Sequence, residues 1–278
     1  AVRARTASAA FDGACFAPRT LDELLALRAA HPEALLLAGG TDLGLLASRE
    51  RKPPKAVIHL AHVPELAAIS ATADRITIGA ATTYEAAAST LIEAFPALRA
   101  YLSRLGSRQI RNMGTLGGNI GTASPIGDMP PVLLALEASL TLVSPRGNRE
   151  ILLDDFFLDY RKTALAPDEV IQSLSMPRLW EGETFHCDKV SKRRDQDIST
   201  VFAAFALVSP RIETTRLSPA SAGSDRWTTC HRSPWKVWSG PRAPSGPASI
   251  SSMNRSGTQI SISPAGNGVV RRRRYSSL

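Results

Sequence analysis

Cysteine is scarce in this sequence, and its spacing argues against two common kinds of protein. The 278 residues include three cysteines, Cys15, Cys187 and Cys230, and no C-x-x-C pair. A secreted disulfide scaffold and a cysteine-ligated zinc or iron–sulfur site both need more cysteines at closer spacing. We therefore expect reduced thiols, a cytoplasmic location and no metal bound by this chain.

Long apolar runs are also lacking. No stretch of about 18 uninterrupted apolar residues occurs, so the sequence predicts no transmembrane helix. Residues 1–10 are small and polar, without the apolar centre of a secretory signal, and we interpret residues 1–11 as a linker remnant. Because the chain begins with Ala1 and not with Met, we expect a fragment or a processed product.

Three motifs of well-known enzymes are missing too. The sequence has no G-x-x-x-x-G-K-[ST] phosphate loop and no G-x-G-x-x-G that opens a helix after a first strand. It also has no G-x-S-x-G and no cysteine in a glycine-rich segment, so nucleophilic catalysis has little support. No residue is therefore assigned a catalytic role.

Negative charge is nearly absent from the last quarter of the chain. Residues 209–278 carry 11 Lys and Arg against 2 Asp and Glu, whereas residues 1–208 carry 22 against 23. The segment is also rich in Ser, Pro and Gly, and we predict a basic, irregular tail that begins after residue 208. We favour a reading frame shifted near residues 209–225. The alternative is a disordered basic arm in which Arg271–Arg274 and Tyr275 bind nucleic acid or an acidic partner; we expect no nucleic-acid function.

The order of predicted elements before residue 208 favours an α+β fold over a regular βαβ repeat. Thr20 is predicted to cap a helix that ends near His31, and a short buried strand follows at 34–38. Further strands are predicted at 56–60, 75–78, 139–144, 151–153 and 169–176. Helices are predicted at 83–95 (with Thr82 and Glu85 at its start), 98–105 and 129–136, with turns at 39–42 and 146–148.

Two glycine-rich segments are candidates for a ligand site. Gly39-Gly40-Thr41-Asp42 follows the buried strand, so its backbone N–H groups could approach a phosphate closely. The alternative is a tight turn that binds nothing. Residues 114–128 hold five glycines among hydroxyl and amide side chains, and we predict a long loop that suits a pyrophosphate and a ribose. We infer a dinucleotide held by two segments about 75 residues apart.

The segments LLLAGGTDL and RQIRNMGTLGGNIGTASPIGDMPPVLLALEASLTL carry a resemblance to a known family. Residues 12–208 resemble the FAD-binding domain of molybdenum hydroxylases, and within that family the flavin- and iron–sulfur-bearing small subunit of bacterial xanthine dehydrogenase. The SPIGDMPP run favours this branch over the medium subunit of carbon monoxide dehydrogenase. The family's eight-cysteine iron–sulfur region and its Gly-Gly-Met-Ala segment are absent from this sequence.

The resemblance implies a fold and a division of the chain. We expect a two-subdomain FAD-binding fold of the vanillyl-alcohol-oxidase/PCMH type over 12–180, with subdomains at about 12–65 and 66–180. Residues 181–208 would begin an α+β C-terminal domain, and the tail would occupy 209–278.

The resemblance also implies which residues contact FAD. The first segment would wrap the pyrophosphate with Leu37, Ala38, Gly39, Gly40, Thr41, Asp42 and Leu43. The second subdomain would line the flavin and its phosphates with Leu105, Thr115, Gly118, Asn119, Thr122 and Asp128. Ile171 and Lys189 match positions near the isoalloxazine ring. By composition alone, Leu37, Leu105 and Ile171 could instead be core residues, and Lys189 with Arg193 and Arg194 could form a solvated basic face.

The function that the resemblance implies is electron transfer. FAD would take electrons from [2Fe–2S] clusters and pass hydride to NAD, while the molybdopterin-binding large subunit and an iron–sulfur domain or subunit are expected as partners. The alternatives are a stand-alone FAD-dependent oxidase of the same fold, or a non-functional fragment with a basic disordered tail.

Overall fold

The computed structural model describes residues 13–208 and four short strands outside that range. These strands are β1 (Arg5–Thr6), β14 (Ile250–Met253), β15 (Gln259–Ile262) and β16 (Gly268–Val270). The proposed frameshift region at 209–225 and the Arg271–Arg274 cluster lie outside the described residues. The expectation of an irregular tail is wrong for β14, β15 and β16.

The N-terminal part forms a small mixed sheet. Its strands are β2 (Ala14–Phe16), β3 (Leu35–Leu37) and β4 (Ala56–His59), with β1 at the edge in the order β1-β2-β4-β3. Both β2 and β3 pair with β4 in parallel. Helix α1 (Leu21–Ala30) connects β2 to β3, and α2 (Gly44–Ser48) follows β3. The predicted cap is confirmed, because the Thr20 hydroxyl accepts a hydrogen bond from the Glu23 N–H at 3.2 Å.

A larger antiparallel sheet follows a 3₁₀ turn at Pro64–Leu66. Its strands are β5 (Ile69–Ala71), β6 (Arg75–Gly79), β7 (Ser139–Ser144), β8 (Gly147–Leu152) and β11 (Val170–Pro177). Their order is β5-β6-β11-β7-β8, which places β11 in the middle. Between β8 and β11 the chain forms helix α8 (Leu153–Phe156) and a two-stranded ribbon of β9 (Phe157–Asp159) and β10 (Lys162–Thr163). The strand predicted to reach Leu153 ends at Leu152.

Five helices lie between β6 and β7. They are α3 (Tyr84–Ala94), α4 (Leu98–Arg104), α5 (Arg108–Met113), α6 (Leu116–Thr122) and α7 (Met129–Ala135). The cap of α3 is Thr83, whose hydroxyl accepts from the Ala86 N–H at 3.2 Å, and not the predicted Thr82. Helix α5 was not predicted.

The prediction of a long loop at 114–128 is wrong for its central part, which is helix α6. Glycine lowers helix propensity by about 1 kcal/mol per residue, and α6 contains three glycines. Packing outweighs this cost, because Gly117 lies against Ala80 where no side chain would fit, and Thr115 caps the helix. The helix ends at Ala123, which adopts a left-handed conformation with φ 47°.

The last part of the described chain is a long hairpin. Strand β12 (Glu183–Val190) pairs antiparallel with β13 (Val201–Val208), and β16 adds to β13 in parallel. Alternate residues of the hairpin, including Phe185, Cys187 and Phe202, are buried in the large core. That core fills the space between the large sheet and helices α3, α4, α6 and α7, whereas α5 contributes no buried residue to it.

Candidate functional site

The two glycine-rich segments meet in the structure. A β-carbon at Gly39 would overlap the carbonyl group of Met113, so the backbones touch there without room for a side chain. On the opposite side of this contact, a β-carbon at Gly114 would lie 3.5 Å from the hydroxyl of Thr41. Chain segments about 75 residues apart thus form one continuous surface.

The first segment leaves a run of backbone donors free. Within residues 13–208, the N–H groups of residues 39–43 donate no hydrogen bond to any other group. Gly40 turns the chain with φ +69°, a value that glycine adopts readily. Its carbonyl then accepts from the Gly44 N–H at 2.8 Å, where α2 begins. Successive unpaired N–H groups in a turn form a concave donor surface that suits an anion.

The second segment uses its donors internally. The N–H groups of Leu116 and Gly117 donate to the carbonyls of Thr82 and Ala80 at 3.2 and 2.9 Å, and that of Gly118 donates to the Thr115 hydroxyl at 3.0 Å. The start of α6 therefore offers no free backbone donor at these three positions. The prediction that residues 114–128 suit a pyrophosphate and a ribose therefore excludes the amides of these three residues and stays a prediction for the rest of the segment.

Helix α6 carries two further predicted contacts, Asn119 and Thr122. The side-chain oxygen of Asn119 is buried and makes no hydrogen bond within the described part of the chain. Thr122 donates its hydroxyl proton to the Gly118 carbonyl at 2.7 Å. A β-carbon at Gly121 would lie 3.7 Å from the side chain of Ile171. Ile171 is 6% exposed and belongs to the large core, as the alternative interpretation of this residue expected.

Asp128 and Lys189, 61 residues apart in sequence, form a buried ion pair. The Lys189 ammonium lies 2.6 Å from one carboxylate oxygen of Asp128, and their side chains are 4% and 6% exposed. Ser199 joins them: its hydroxyl donates to the other Asp128 oxygen at 2.6 Å and lies 2.8 Å from the Lys189 ammonium. The alternative of a solvated basic face is therefore wrong for Lys189, although Arg193 and Arg194 are exposed.

Two tyrosines lie near this pair. The hydroxyl groups of Tyr84 and Tyr101 are buried and make no hydrogen bond within the described residues. Burial, with the negative charge of Asp128, raises the pKa of both phenols above the ordinary value, so they stay protonated. Cys187 is a core residue, and its burial raises the pKa of the thiol to about 12, which disfavours the reactive thiolate.

The sequence analysis missed Ser199 and Tyr84. Neither residue carries a local signal, since Ser199 contacts Asp128 from 71 positions away and Tyr84 resembles any aromatic residue at a helix start. The amino-acid sequence offers no periodicity that would have brought them to the site. Leu37, Ala38 and Leu105 are half-buried, between the core and the surface that the two segments share.

Other kinds of site are not found in the part of the chain that the structure describes. No group of three or more His, Cys, Asp or Glu residues there could hold a metal ion. Among the same residues, no helix is both long enough and apolar enough to span a bilayer.

Comparison with known proteins identifies one family. The sequence profile of the FAD-binding domain in molybdopterin dehydrogenase matches residues 9–179, which is more than half of the chain. The xanthine dehydrogenase/oxidase of Gallus gallus is 36% identical over 217 residues, covering 72% of this chain and 16% of the relative. The chain thus spans only about one-sixth of that relative's length.

Solved structures with similar folds include two other oxidoreductases. A carbon monoxide dehydrogenase from Hydrogenophaga pseudoflava is 30% identical with a TM-score of 0.62, covering 67% of this chain and 66% of that one. A quinoline 2-oxidoreductase from Pseudomonas putida 86 is 29% identical with a TM-score of 0.63, covering 68% and 66%.

Proposed function

Because this chain belongs to the family of FAD-binding domains in molybdopterin dehydrogenases, we propose that it is the flavoprotein electron-transfer component of a xanthine dehydrogenase-type molybdenum hydroxylase. FAD is the cofactor of the family, and the other cofactors belong to other domains or subunits. When bound, FAD would supply two-electron chemistry between [2Fe–2S] clusters and NAD. The protein's part in this chemistry is to bind and orient the cofactor.

The observation that carries the proposal is the run of unpaired donors at residues 39–43. Gly39, Gly40 and Leu43 are half-buried, and backbone N–H groups away from water are almost always paired in folded proteins, so unpaired ones at these positions favour a ligand. A pyrophosphate supplies the anionic oxygens that such donors need. The contact between Gly39 and Met113 brings these donors beside the second segment, where a flavin would lie.

We assign the cofactor contacts to the residues that the family resemblance implies. Toward the pyrophosphate these are Leu37, Ala38, Gly39, Gly40, Thr41, Asp42 and Leu43. Toward the flavin and its phosphates they are Leu105, Thr115, Gly118, Asn119, Thr122, Asp128, Ile171 and Lys189. The unpartnered oxygen of Asn119 supports this assignment, because a buried amide oxygen without a donor is costly until a ligand supplies one.

Thr115 would act indirectly, since its buried hydroxyl is engaged as the cap of α6. No residue is given a catalytic role, because the family's chemistry resides in the cofactor.

The proposed architecture is the two-subdomain PCMH-type fold. Residues 12–65 would form the first subdomain around the small sheet and residues 66–180 the second around the large sheet. Residues 181–208, which form the β12–β13 hairpin, would begin the C-terminal domain.

The proposed partners are a molybdopterin-binding large subunit, an iron–sulfur domain or subunit, and NAD. The named relatives are oxidoreductases of which this chain spans only a part, which supports the expectation of further domains or subunits. The cytoplasm is the proposed compartment, on the cysteine count.

A titration with three flavins tests the cofactor. The purified chain is titrated with FAD, FMN and riboflavin, followed by flavin absorbance and by gel filtration of the mixture. We expect FAD to bind at least tenfold more tightly than riboflavin, because FAD carries a pyrophosphate for the donors at 39–43 and riboflavin carries none. Equal affinity for all three, or a colourless protein after gel filtration, would contradict the proposal and favour a non-functional fragment.

An activity measurement then separates the electron-transfer component from an oxidase. With FAD bound, NADH should reduce an artificial dye without any purine present. Reduction of the flavin by an organic substrate in this chain alone, with oxygen as acceptor, would instead identify a stand-alone oxidase.

A further inference from the structure

Arg104, the last residue of α4, makes three hydrogen bonds to one segment of the chain. Its guanidinium donates to the carbonyl of Lys189 at 2.6 Å and to the carbonyl of Arg194 at 2.9 Å. It also donates to the hydroxyl of Ser191 at 2.9 Å. The planar guanidinium fork suits this arrangement, because its donors are held at fixed angles to one another.

The segment that Arg104 holds connects β12 to β13. This connecting segment, residues 191–200, is largely exposed and contains the consecutive basic residues 192–194. Like charges repel one another, and a long exposed connection loses much conformational entropy when it is ordered. The three bonds from Arg104 offset part of the ordering cost at the start of the segment, although its own positive charge does not relieve the repulsion.

Two residues of the candidate site lie at the two ends of this connecting segment. Lys189 precedes it and Ser199 lies near its far end, and both contact the Asp128 carboxylate. Lys189 therefore binds Asp128 through its side chain while its own carbonyl accepts from Arg104. A shift of this backbone would move the ammonium group away from the carboxylate.

Arg104 differs from a surface arginine in its partners. Among the described residues it forms no ion pair, and its donors go to two carbonyls and a hydroxyl. Arg99, on the same helix, is exposed and makes no side-chain hydrogen bond within residues 13–208. This residue offers a matched control.

We propose that Arg104 is a positioning residue of the FAD site, which sets the Lys189 ammonium against Asp128 by holding the backbone of the connecting segment. This inference rests on the proposed function, since it assigns a role at the same site. Arg104 itself need not touch the cofactor.

The test compares Arg104→Gln with Arg99→Gln in two measurements on the full chain. The first is limited trypsin digestion without FAD, with cleavage after Lys192, Arg193 and Arg194 followed by mass spectrometry. We expect Arg104→Gln to be cut there at least fivefold faster than wild type, and Arg99→Gln at the wild-type rate. Equal rates for all three proteins would overturn the inference whatever the cofactor does.

The second measurement is the dissociation constant of FAD. We expect it to rise about tenfold in Arg104→Gln and to stay unchanged in Arg99→Gln. In a Lys189→Met background the same change at Arg104 should have no further effect, because Arg104 acts through Lys189. Additive losses in the double variant would point to a merely structural role and overturn the inference.

The two proposals fail in different ways. Wild-type protein that does not bind FAD would contradict the proposed function, while trypsin digestion would still report on the Arg104 contacts. Should Arg104→Gln not fold, Arg104→Lys gives the same comparison, because a lysine can replace only part of the three-bond arrangement. An Arg104→Lys protein that equals wild type in both measurements would also overturn the inference.

Discussion

Residues 39–43 and residues 114–122 are both rich in glycine, but the two segments use their backbone N–H groups differently. In the first segment five successive groups are left without a partner among the described residues. In the second, the groups of Leu116, Gly117 and Gly118 are all paired, and Gly117 serves to bring α6 against Ala80. The same residue type therefore prepares a ligand surface in one place and a close packing contact in the other.

This comparison leads to different expectations for substitutions in the two segments. Changes in the first segment should weaken FAD binding more than they weaken the fold. Changes in the second should weaken the fold first. Gly39 lies where the two segments touch, so its substitution should weaken both the fold and FAD binding.

The largest effect is expected for Gly39→Ala. A β-carbon at this position would overlap the Met113 carbonyl, and one backbone has to move. We expect the free energy of unfolding to fall by about 3 kcal/mol, and FAD binding to be lost. Urea denaturation followed by circular dichroism measures the first effect, and the flavin titration measures the second.

The matched control is Gly44→Ala, at the start of α2, where a β-carbon would meet nothing within 4 Å. It should leave stability unchanged or raise it by up to about 1 kcal/mol, since alanine favours a helix. Equal stability of the Gly39→Ala and Gly44→Ala variants would show that the two segments are not in tight contact.

Gly117→Ala should come next. The added β-carbon would lie 2.6 Å from the carbonyl oxygen of Ala80 and would overlap that residue's side chain. We expect a loss of about 2–3 kcal/mol in the free energy of unfolding, from urea denaturation. Gly121→Ala is the control on the same helix, because its β-carbon would be at an ordinary 3.7 Å from Ile171. A control that is as unstable as Gly117→Ala would show that the loss does not come from the contact between Gly117 and Ala80.

Gly40→Ala should have a smaller effect on stability and a clear one on the cofactor. With φ at +69°, alanine there is strained by about 1–2 kcal/mol, and relief of that strain would redirect the neighbouring N–H groups. We expect the dissociation constant of FAD to rise about tenfold. Gly40→Asn, which tolerates this conformation better, should recover part of the loss. If the Gly40→Asn variant binds FAD as weakly as the Gly40→Ala variant, the backbone conformation of Gly40 does not determine the affinity for FAD.

The smallest effect is expected for Thr115→Val. This substitution removes the hydroxyl that accepts from Gly118 while it keeps the side-chain shape. Loss of a helix cap typically lowers stability by about 1 kcal/mol, which thermal denaturation would detect. Thr115→Ser should retain the cap and most of the stability. A valine variant as stable as the serine variant would show that α6 needs no cap.

The sequence predicted the elements that depend on local signals. Helix α1 begins at its Thr20 cap and ends before His31-Pro32, as expected. Strand β7 begins and ends at the predicted residues, because turn residues bound its short run of alternating apolar residues on both sides. Where two neighbouring residues could both cap a helix, the predicted cap was wrong by one residue: the cap of α3 is Thr83 and not Thr82.

Tertiary contacts decided what the sequence did not show. Three glycines in seven residues indicate a loop, whereas the packing of Gly117 on Ala80, the burial of Leu116 and Ile120 and the Thr115 cap make α6 a helix. The hairpin of β12 and β13 was overlooked although residues 183–190 alternate between buried and exposed. The candidate site behaves in the same way: the glycine segments were found from composition, whereas Ser199 and Arg104 reach it only through contacts more than 70 positions apart.

The small sheet and the large sheet share part of their interior. Val143 and Val170, on strands of the large sheet, are buried in the same cluster as Leu24 and Ile58 of the N-terminal part. Separating the two parts would therefore expose apolar side chains of both, which makes it costly for one to melt while the other stays native. The described chain should consequently lose its structure in a single cooperative transition. We therefore expect a cofactor to bind at the two glycine-rich surface segments while the two sheets stay packed together.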